Sequence, residues 1–143
     1  MRLIAFRPEY QLTVDVAKNL IFYQNFDQMR DATALPQYLA DWGAALAEVQ
    51  PGFSILSDMQ VINQGNPQLK AGFKQVENLI MERGIRMVAE IHVPGQTTRR
   101  CLDEVTTSLA MPVRQFLNLW DAAQFLDDLH YQAAVEQSLT FAK

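Results

Sequence analysis

Histidine and aspartate side chains near the ends of predicted strands are the first candidates for chemistry in this chain. His92 with Asp58 or Asp121 is a candidate acid–base pair, because imidazole exchanges protons near neutral pH and a carboxylate can orient it. No nucleophile of known catalytic spacing accompanies them. The alternative places His92 on a polar sheet face and His130 on an exposed helix end, and the sequence favours this interpretation. We therefore expect a protein that is not an enzyme.

Two adjacent arginines form the second candidate site. Arg99 and Arg100 follow Thr97 and Thr98 in the predicted first turn of a helix, where backbone N–H groups lack partners within the helix. These N–H groups and two guanidinium groups would bind a phosphate, a carboxylate or an acidic partner loop. The alternative is that both arginines lie in solvent or pair with nearby acidic side chains.

The cysteine and histidine content argues against a metal centre. Cys101 is the only cysteine, and the two histidines are far apart in the sequence, so that no usual ligand spacing results. We expect neither a metal nor a cofactor. A lone cysteine also excludes an internal disulfide and fits a reducing compartment. The sequence shows no membrane span and no apolar signal segment at its start, so we expect a cytoplasmic protein.

Length and charge narrow the class of protein further. The chain has 143 residues, of which 49% are hydrophobic, and a formal net charge of −4. This length and composition predict a single domain over 1–143, with a core at roughly 10–130 and a C-terminal extension at 131–143. Proteins that bind duplex DNA usually carry an excess of basic side chains, so nucleic acid is disfavoured as a partner.

The first part of the chain has the pattern of β-structure. Leu12, Val14 and Val16 alternate with polar residues, which is typical of a half-buried strand. A turn at Lys18 and Asn19 separates this strand from an aromatic and β-branched run, so that 11–26 is predicted to form a hairpin. Residues 2–6 are a candidate edge strand.

Helices and strands alternate in the rest of the chain. Apolar side chains at helical spacing follow Pro36, a first-turn proline, and Asn66-Pro67 predicts a capped helix start whose helix ends at Gly84. Residues 131–143 either prolong the last helix or cross the surface separately. The expected strands cover 53–59, 85–93 and 113–119, and the expected helices run from about 36 to 49, from 66 to 84, from 97 or 98 to 112, and from 120 to about 130.

These elements predict a two-layer α/β fold. It has a mixed sheet that begins with an N-terminal β-hairpin, followed by α-β-α-β-α-β-α, with the helices mainly on one face. In strand 85–93, apolar residues from Ile85 to Val93 alternate with Arg86, Glu90 and His92, which predicts one helix-covered face and one more polar face. Trp42 and Trp120 are predicted to anchor the core.

The order of elements resembles the STAS domain, the family of bacterial anti-sigma-factor antagonists and of the cytoplasmic domains of sulfate transporters. The likeness covers roughly 10–130 and is strongest to small stand-alone bacterial members. Its most specific pieces are residues 53–59, as a central strand before a loop and helix, and residues 118–126, as a closing strand-to-helix junction. The resemblance implies a non-catalytic regulatory module that binds a protein partner.

The family's switch loop has a counterpart in this chain. Phosphorylatable members carry a serine or threonine in the loop that opens the helix after the central strand, where added phosphate changes the partner surface. The matching segment 63–68 has no hydroxyl side chain, so the resemblance implies no phosphorylation switch there. The loop is a candidate partner site, and the alternative is simply a well-capped helix start. The candidate residues are Asn63, Gln64, Gly65, Asn66 and Gln68.

Two classes of function remain open at this point. The first is the STAS-like interaction module, which would also form a homodimer if a sheet face with Thr13, Tyr23 and His92 pairs with a second copy. In such a dimer the C-terminal tail would lock the two copies together through Val135, Leu139 and Phe141.

The second class is a protein that binds a small apolar anion or a lipid. Small stand-alone STAS proteins resemble lipid-transfer Sec14 domains in fold, and this likeness implies a ligand pocket. This hypothesis predicts an internal apolar cavity between the helices and the strand ends, with Arg99 or Arg100 at its mouth.

Overall fold

The computed structural model describes residues 1–93 and 111–141, with side chains through residue 137. Six strands and three helices lie in these ranges, together with a single 3-10 turn at Asp27–Met29. The helix expected to start at Thr97 or Thr98 lies outside the described residues. The elements are β1 (Arg2–Phe6), β2 (Tyr10–Asp15), β3 (Leu20–Asn25), α1 (Tyr38–Ala47), β4 (Ser54–Asp58), α2 (Pro67–Arg83), β5 (Met87–Ile91), β6 (Val113–Phe116) and α3 (Leu119–Phe141).

The six strands form one sheet in which their spatial order is the same as their order in the chain. β1, β2 and β3 pair antiparallel, and β3, β4, β5 and β6 pair parallel. The predicted mixed α/β sheet is therefore confirmed, including the edge strand at residues 2–6. The carboxyl ends of the four parallel strands lie at one edge of the sheet, which we call the carboxyl edge.

The turn of the N-terminal hairpin is longer than predicted. It takes up residues 16–19, so Val16 lies in the turn and is exposed instead of continuing the strand. The Asp15 carboxylate accepts a hydrogen bond from the Lys18 N–H at 3.1 Å, which favours an early end of the strand. Asn19 takes a positive φ of 52° and its side chain bonds to the backbone of Gln50.

Helices α1 and α2 lie together on one face of the sheet, which we call face A. Right-handed crossovers between successive neighbours in a parallel sheet place their helices on the same face, which explains this arrangement. Trp42 and Leu46 of α1 and Val76 and Ile80 of α2 join the main buried cluster. The sheet contributes to this cluster mainly through Leu12, Val14, Ile21, Tyr23, Ile55 and Val88.

Helix α3 covers β4, β5 and β6 on the opposite face, face B. It follows β6 and does not connect two of the described strands, so the preference for right-handed crossovers does not restrict it to face A. Ala122 and Leu126 of α3 pack with Leu56, Ala89 and Ile91 of the sheet. The prediction that strand 85–93 has a more polar face opposite the helices is therefore wrong, because both faces of β5 are buried.

The predicted ends of α2 are confirmed. The Asn66 side chain accepts a hydrogen bond from the Gln68 N–H at 2.9 Å, and Pro67 is the first helical residue. Gly84 ends the helix with a φ of 94°, a left-handed conformation that glycine adopts without strain. The last helix continues to Phe141, which decides the question that the sequence left open for most of 131–143.

Candidate functional site

The loop after β4 leads from the carboxyl edge into α2 and is anchored by Asn63. The Asn63 amide group donates hydrogen bonds to the carbonyls of Met29, at 2.8 Å, and Ala32, at 3.1 Å. Its carbonyl oxygen accepts from the N–H groups of Gly65 and Asn66. One side chain thus joins the loop to the segment after the 3-10 turn, because asparagine has both donors and an acceptor.

The remaining predicted loop residues divide into structural and exposed positions. Asn66 caps α2, and Gly65 has a φ of 84°. The backbone N–H of Gln64 donates to the Arg30 carbonyl at 3.0 Å, while the side chains of Gln64 and Gln68 are exposed. The loop therefore has a fixed backbone and exposes two glutamine side chains at its surface.

The buried pair at the end of β5 is His92 with Glu90, and not with either predicted aspartate. The Nε2 atom of His92 lies 3.3 Å from Oε1 of Glu90, and both side chains are buried. Ser57 on β4 is the register partner of Glu90 and is buried as well. Glu90 lies on β5 and His92 directly follows the strand, two residues further on, where its N–H still bonds to the Phe116 carbonyl. Side chains two residues apart in extended backbone share a face, and the acid–base hypothesis did not use this signal.

The aspartates of the acid–base hypothesis have other partners. Asp58 is in register with Ile91, so it lies on the opposite face of the sheet from His92. Its carboxylate accepts hydrogen bonds from the backbone and side chain of Gln60. Asp121 is in the first turn of α3, where Asn118 accepts from the Asp121 N–H at 2.8 Å and donates to its carboxylate at 3.0 Å. This reciprocal arrangement is a helix cap and not a catalytic pair.

The sheet face proposed for self-pairing does not exist as predicted. Tyr23 and His92 are buried on face A, whereas Thr13 lies on face B, because Thr13 and Phe22 are register partners. These three side chains therefore do not form one surface on which a second copy could pack.

Three of the four tyrosines belong to an aromatic cluster between α1 and the sheet, to which α1 itself contributes Tyr38. The ring of Tyr38 packs edge-on against Tyr10, with 5.4 Å between centroids, and against Phe73, with 5.2 Å. Burial raises the pKa of Tyr38 and of Tyr23 well above the ordinary value for a phenol. Trp42 lies in the same cluster, 5.3 Å from Tyr23 between centroids, as predicted for a core anchor.

Trp120 is not a core anchor, and the prediction for it is wrong. Its side chain is 77% exposed, and Leu117 and Leu119 beside it are exposed as well. An α-helix turns by about 100° per residue, so Trp120 lies about 200° around α3 from the buried Ala122. We call Leu117, Leu119 and Trp120 the apolar edge patch, since they follow β6 at the carboxyl edge.

A cleft of about 340 Å³ lies between the segment before α1 and the first turns of α2. Apolar and aromatic side chains supply most of its lining, and none of the described residues that line it is charged. This is near the lower end of the volumes of small-molecule sites. Thr97, Thr98, Arg99 and Arg100 lie outside the described residues, as does Cys101. The lining residues are Thr33, Ala34, Leu35, Pro36, Tyr38, Gln68, Leu69, Gly72 and Phe73.

Metal-binding clusters and membrane-spanning helices are absent from the described part of the chain. Within 1–93 and 111–141, no group of three or more histidine, cysteine, aspartate or glutamate side chains is placed to hold a metal ion. Among the helices of those same residues, none is both long and apolar enough to cross a bilayer.

Comparison with protein-family models, with curated proteins and with solved structures finds no significant match for this chain.

Proposed function

We propose that this chain is a non-catalytic, STAS-like regulatory module that binds a protein partner at the carboxyl edge of its sheet. The apolar edge patch carries the proposal, since it places three large exposed apolar side chains within four consecutive residues. Exposed apolar clusters mark interaction sites on protein surfaces, and tryptophan is enriched among the residues that contribute most to binding.

The loop at 63–68 supports the same surface. It follows β4 at the carboxyl edge, where the patch follows β6, and β5 alone lies between these two strands. The four hydrogen bonds of Asn63 fix its backbone, so binding through Gln64 and Gln68 requires little ordering of the loop.

The charge of the chain defines the chemistry of the partner. The formal net charge is −4, and the exposed Asp121 directly follows Trp120. We therefore propose a partner with an apolar pocket for Trp120 and basic side chains around it, because complementary charge favours encounter and orientation. The segment 63–68 has no hydroxyl side chain, so this binding does not depend on phosphorylation of the loop.

Photo-crosslinking tests this surface and captures the partner in the same experiment. The photoreactive residue p-benzoylphenylalanine replaces Trp120 or Gln64 in the full chain expressed in its native cells. Ala17 and Gln50, which are exposed at the opposite edge of the sheet, serve as control positions. We expect the same crosslinked protein from positions 120 and 64, and we expect neither control position to yield it.

The crosslinked protein is then purified and titrated against the Trp42→Phe variant, in which Trp120 is the only tryptophan. Binding should shift the Trp120 emission to shorter wavelength, and Trp120→Ala should weaken binding at least tenfold. The Gln132→Ala variant, changed on an exposed part of α3, is the control. Equal crosslinking from all four positions, or unchanged affinity of Trp120→Ala, would contradict the proposal.

The cleft beside α2 favours a second candidate function, which is the binding of a small apolar ligand. Its lining includes Leu35, Leu69 and Phe73, which would contact an aliphatic or aromatic group. An anionic or lipid ligand would also need a cation, for which Arg99 and Arg100 are the sequence-based candidates.

Native mass spectrometry separates the two functions. Chain purified without added ligand should have a mass of 16.3 kDa per copy if it is an interaction module. A constant adduct of a few hundred daltons, lost in the Gly72→Phe variant that fills the cleft, would instead establish the ligand binder. The exposed Ala40→Phe substitution on α1 provides the matched control.

A further inference from the structure

Four polar side chains are buried on face A at the carboxyl edge of the sheet. Asn25 is the last residue of β3, Ser57 lies on β4, Glu90 lies on β5, and His92 directly follows β5. Each of them is between 4% and 7% exposed. Residues two positions earlier on the same three strands belong to the main buried cluster, so the four side chains share face A. We call these four residues the polar site.

Asn25 and His92 lie on either side of Met59. The registers of β3, β4 and β5 align these three residues side by side, one position beyond the last paired residues. The Met59 N–H donates to the Ile91 carbonyl at 2.9 Å, so the alignment continues past the end of β4. Neighbouring strands are about 4.8 Å apart, and the backbones of Asn25 and His92 are therefore separated by about 10 Å.

Two atoms of the polar site have unused capacity for hydrogen bonds. The Asn25 amide nitrogen donates to the Val61 carbonyl at 2.8 Å, so its Oδ1 remains as an acceptor. Nε2 of His92 faces the Glu90 carboxylate, which only accepts, so Nε2 carries the proton and Nδ1 of the neutral ring is an acceptor. Both Oδ1 and Nδ1 are buried, and no described residue supplies a partner for either. Because buried polar atoms are normally paired, both atoms point to a bound donor.

The spacing of the two acceptors indicates the size of the molecule that would bind them. A hydrogen bond of about 2.9 Å at each end leaves about 4 Å between the two donors of the ligand. A chain of three carbon atoms with a donor at each end has this length. The partly buried Met59 side chain lies between the acceptors and offers an apolar contact for such a chain.

The two ends of the polar site differ in charge. Glu90 is its one carboxylate, and its contact with Nε2 polarises the His92 ring and makes Nδ1 a stronger acceptor. An ammonium group is the donor that suits this end, since hydrogen bonds from a charged donor are the stronger ones. The Asn25 oxygen is neutral, and a second cation buried there would lack a counter-charge within the site. A hydroxyl group therefore suits the Asn25 end.

We propose that the polar site binds a short amino alcohol, with its ammonium group at Nδ1 of His92 and its hydroxyl group at Oδ1 of Asn25. The carbon chain lies along Met59. Ligands of parallel sheets usually bind beyond the carboxyl ends of the strands, where this site lies. The polar site is buried on face A, whereas the apolar edge patch is exposed, so this inference does not depend on the proposed partner surface.

Nitrogen NMR of the full chain, labelled with ¹⁵N-histidine, tests the contact at His92. At about pH 8, where exposed histidines are neutral, the chain is titrated with 3-aminopropan-1-ol. We expect the signal of the unprotonated Nδ1 of His92 to shift in a saturable way, while the signals of the exposed His130 stay in place. The His130→Gln variant assigns the signals. An unchanged His92 signal, or equal shifts of both histidines, would overturn the proposal.

Calorimetry with two related compounds tests the chemistry of the ligand. Propane-1,3-diol lacks the charge, and propylamine lacks the hydroxyl group. We expect 3-aminopropan-1-ol to bind roughly tenfold more tightly than either compound, because each lacks one of the two hydrogen-bonding ends. Equal affinity for the diol would refute recognition of the ammonium group, and equal affinity for propylamine would refute recognition of the hydroxyl group.

The Asn25→Ala variant tests the position of the hydroxyl group. It should bind 3-aminopropan-1-ol and propylamine with nearly equal affinity, because the hydroxyl loses its acceptor. A merely structural effect would weaken both ligands equally and leave the ratio of affinities unchanged, which would contradict the proposal. Gln24→Ala, changed on face B, is the matched control and should keep the ratio. If Asn25→Ala does not fold, the His92 signal of the unchanged chain decides the question.

Discussion

Arg7 binds the carboxylate of Asp41 with two hydrogen bonds of 2.9 Å each, from Nε to Oδ2 and from a terminal nitrogen to Oδ1. The hydroxyl of Tyr10 donates to the same Oδ2 at 2.6 Å. These hydrogen bonds join the connection between β1 and β2, and the first residue of β2, to α1. Burial alone would raise the pKa of Asp41, but the hydrogen bonds from Arg7 and Tyr10 outweigh it and lower the pKa below its ordinary value.

Removal of the Tyr10 hydroxyl tests this network. Tyr10→Phe keeps the buried ring and loses the hydrogen bond to a carboxylate, so the free energy of unfolding should fall by about 1–3 kcal/mol at pH 7. Urea unfolding followed by circular dichroism measures the change. Tyr131→Phe, at an exposed tyrosine, is the control and should change it by less than about 0.5 kcal/mol.

Acid should remove the contribution of Asp41. Because the folded state lowers the pKa of Asp41, its stabilisation is complete above about pH 4, where an unfolded aspartate is ionised, and disappears as the pH falls through the lower folded-state pKa. Asp41→Asn should therefore be less stable than the unchanged chain at pH 7, and the difference should narrow below pH 4. A difference that is constant from pH 7 to pH 3 would contradict the assignment.

Alkaline pH should unfold the chain through its buried tyrosines. Burial raises the pKa of Tyr10, Tyr23 and Tyr38, so the folded state keeps these phenols neutral when the unfolded state ionises them near pH 10. Their stabilisation is complete below pH 10 and is lost as the pH rises above it. Absorbance at 295 nm and far-UV ellipticity should then change together in one cooperative step. Separate, gradual ionisation of these tyrosines with the fold intact would refute this.

The Glu90–His92 pair should behave as a coupled unit. His92→Phe removes the contact between the imidazole and the buried Glu90 side chain, so the free energy of unfolding should fall by about 1–3 kcal/mol. Glu90→Met removes the other partner, and the double variant should be more stable than the sum of the single changes predicts. Additive changes in the free energy of unfolding would show that the two side chains do not interact.

The Asn63 side chain should hold the loop in place. Asn63→Ala removes hydrogen bonds to the carbonyls of Met29 and Ala32, so amide exchange in the 63–66 loop should accelerate and stability should fall by about 1–2 kcal/mol. Gln64→Ala, which removes only an exposed side chain, is the matched control. If the amide exchange rates of residues 63–66 are unchanged in Asn63→Ala, contacts other than the Asn63 side chain hold the loop in place.

Local signals predict the element boundaries that depend on backbone chemistry. As expected, Asn66 caps the start of α2 and Gly84 follows its last residue. Both signals are local, because N-capping and a left-handed φ depend on the residue at that position. The alternation in β5 also identifies which side chains share a face. It cannot show that the face with Glu90 and His92 is buried, because burial depends on what packs there.

The errors concern relationships between distant elements. A large aromatic side chain at helical spacing is usually buried, which favours a core position for Trp120, but the position of α3 on face B turns this side chain outwards. The sequence pattern does not specify on which face a terminal helix packs. In the same way, Asp58 ends β4 and His92 follows the end of β5, and only the register shows that they lie on opposite faces of the sheet.

The coincidence of spatial and chain order among the six strands has a consequence for biosynthesis. Each strand pairs with the one synthesised just before it, and no strand has to insert between two that are already joined. The sheet can therefore form during translation, with each new strand added at the same edge. The strand formed last has an unpaired edge, and the next strand can pair with this edge as soon as it leaves the ribosome. This order limits the time during which an unpaired strand is available for aggregation.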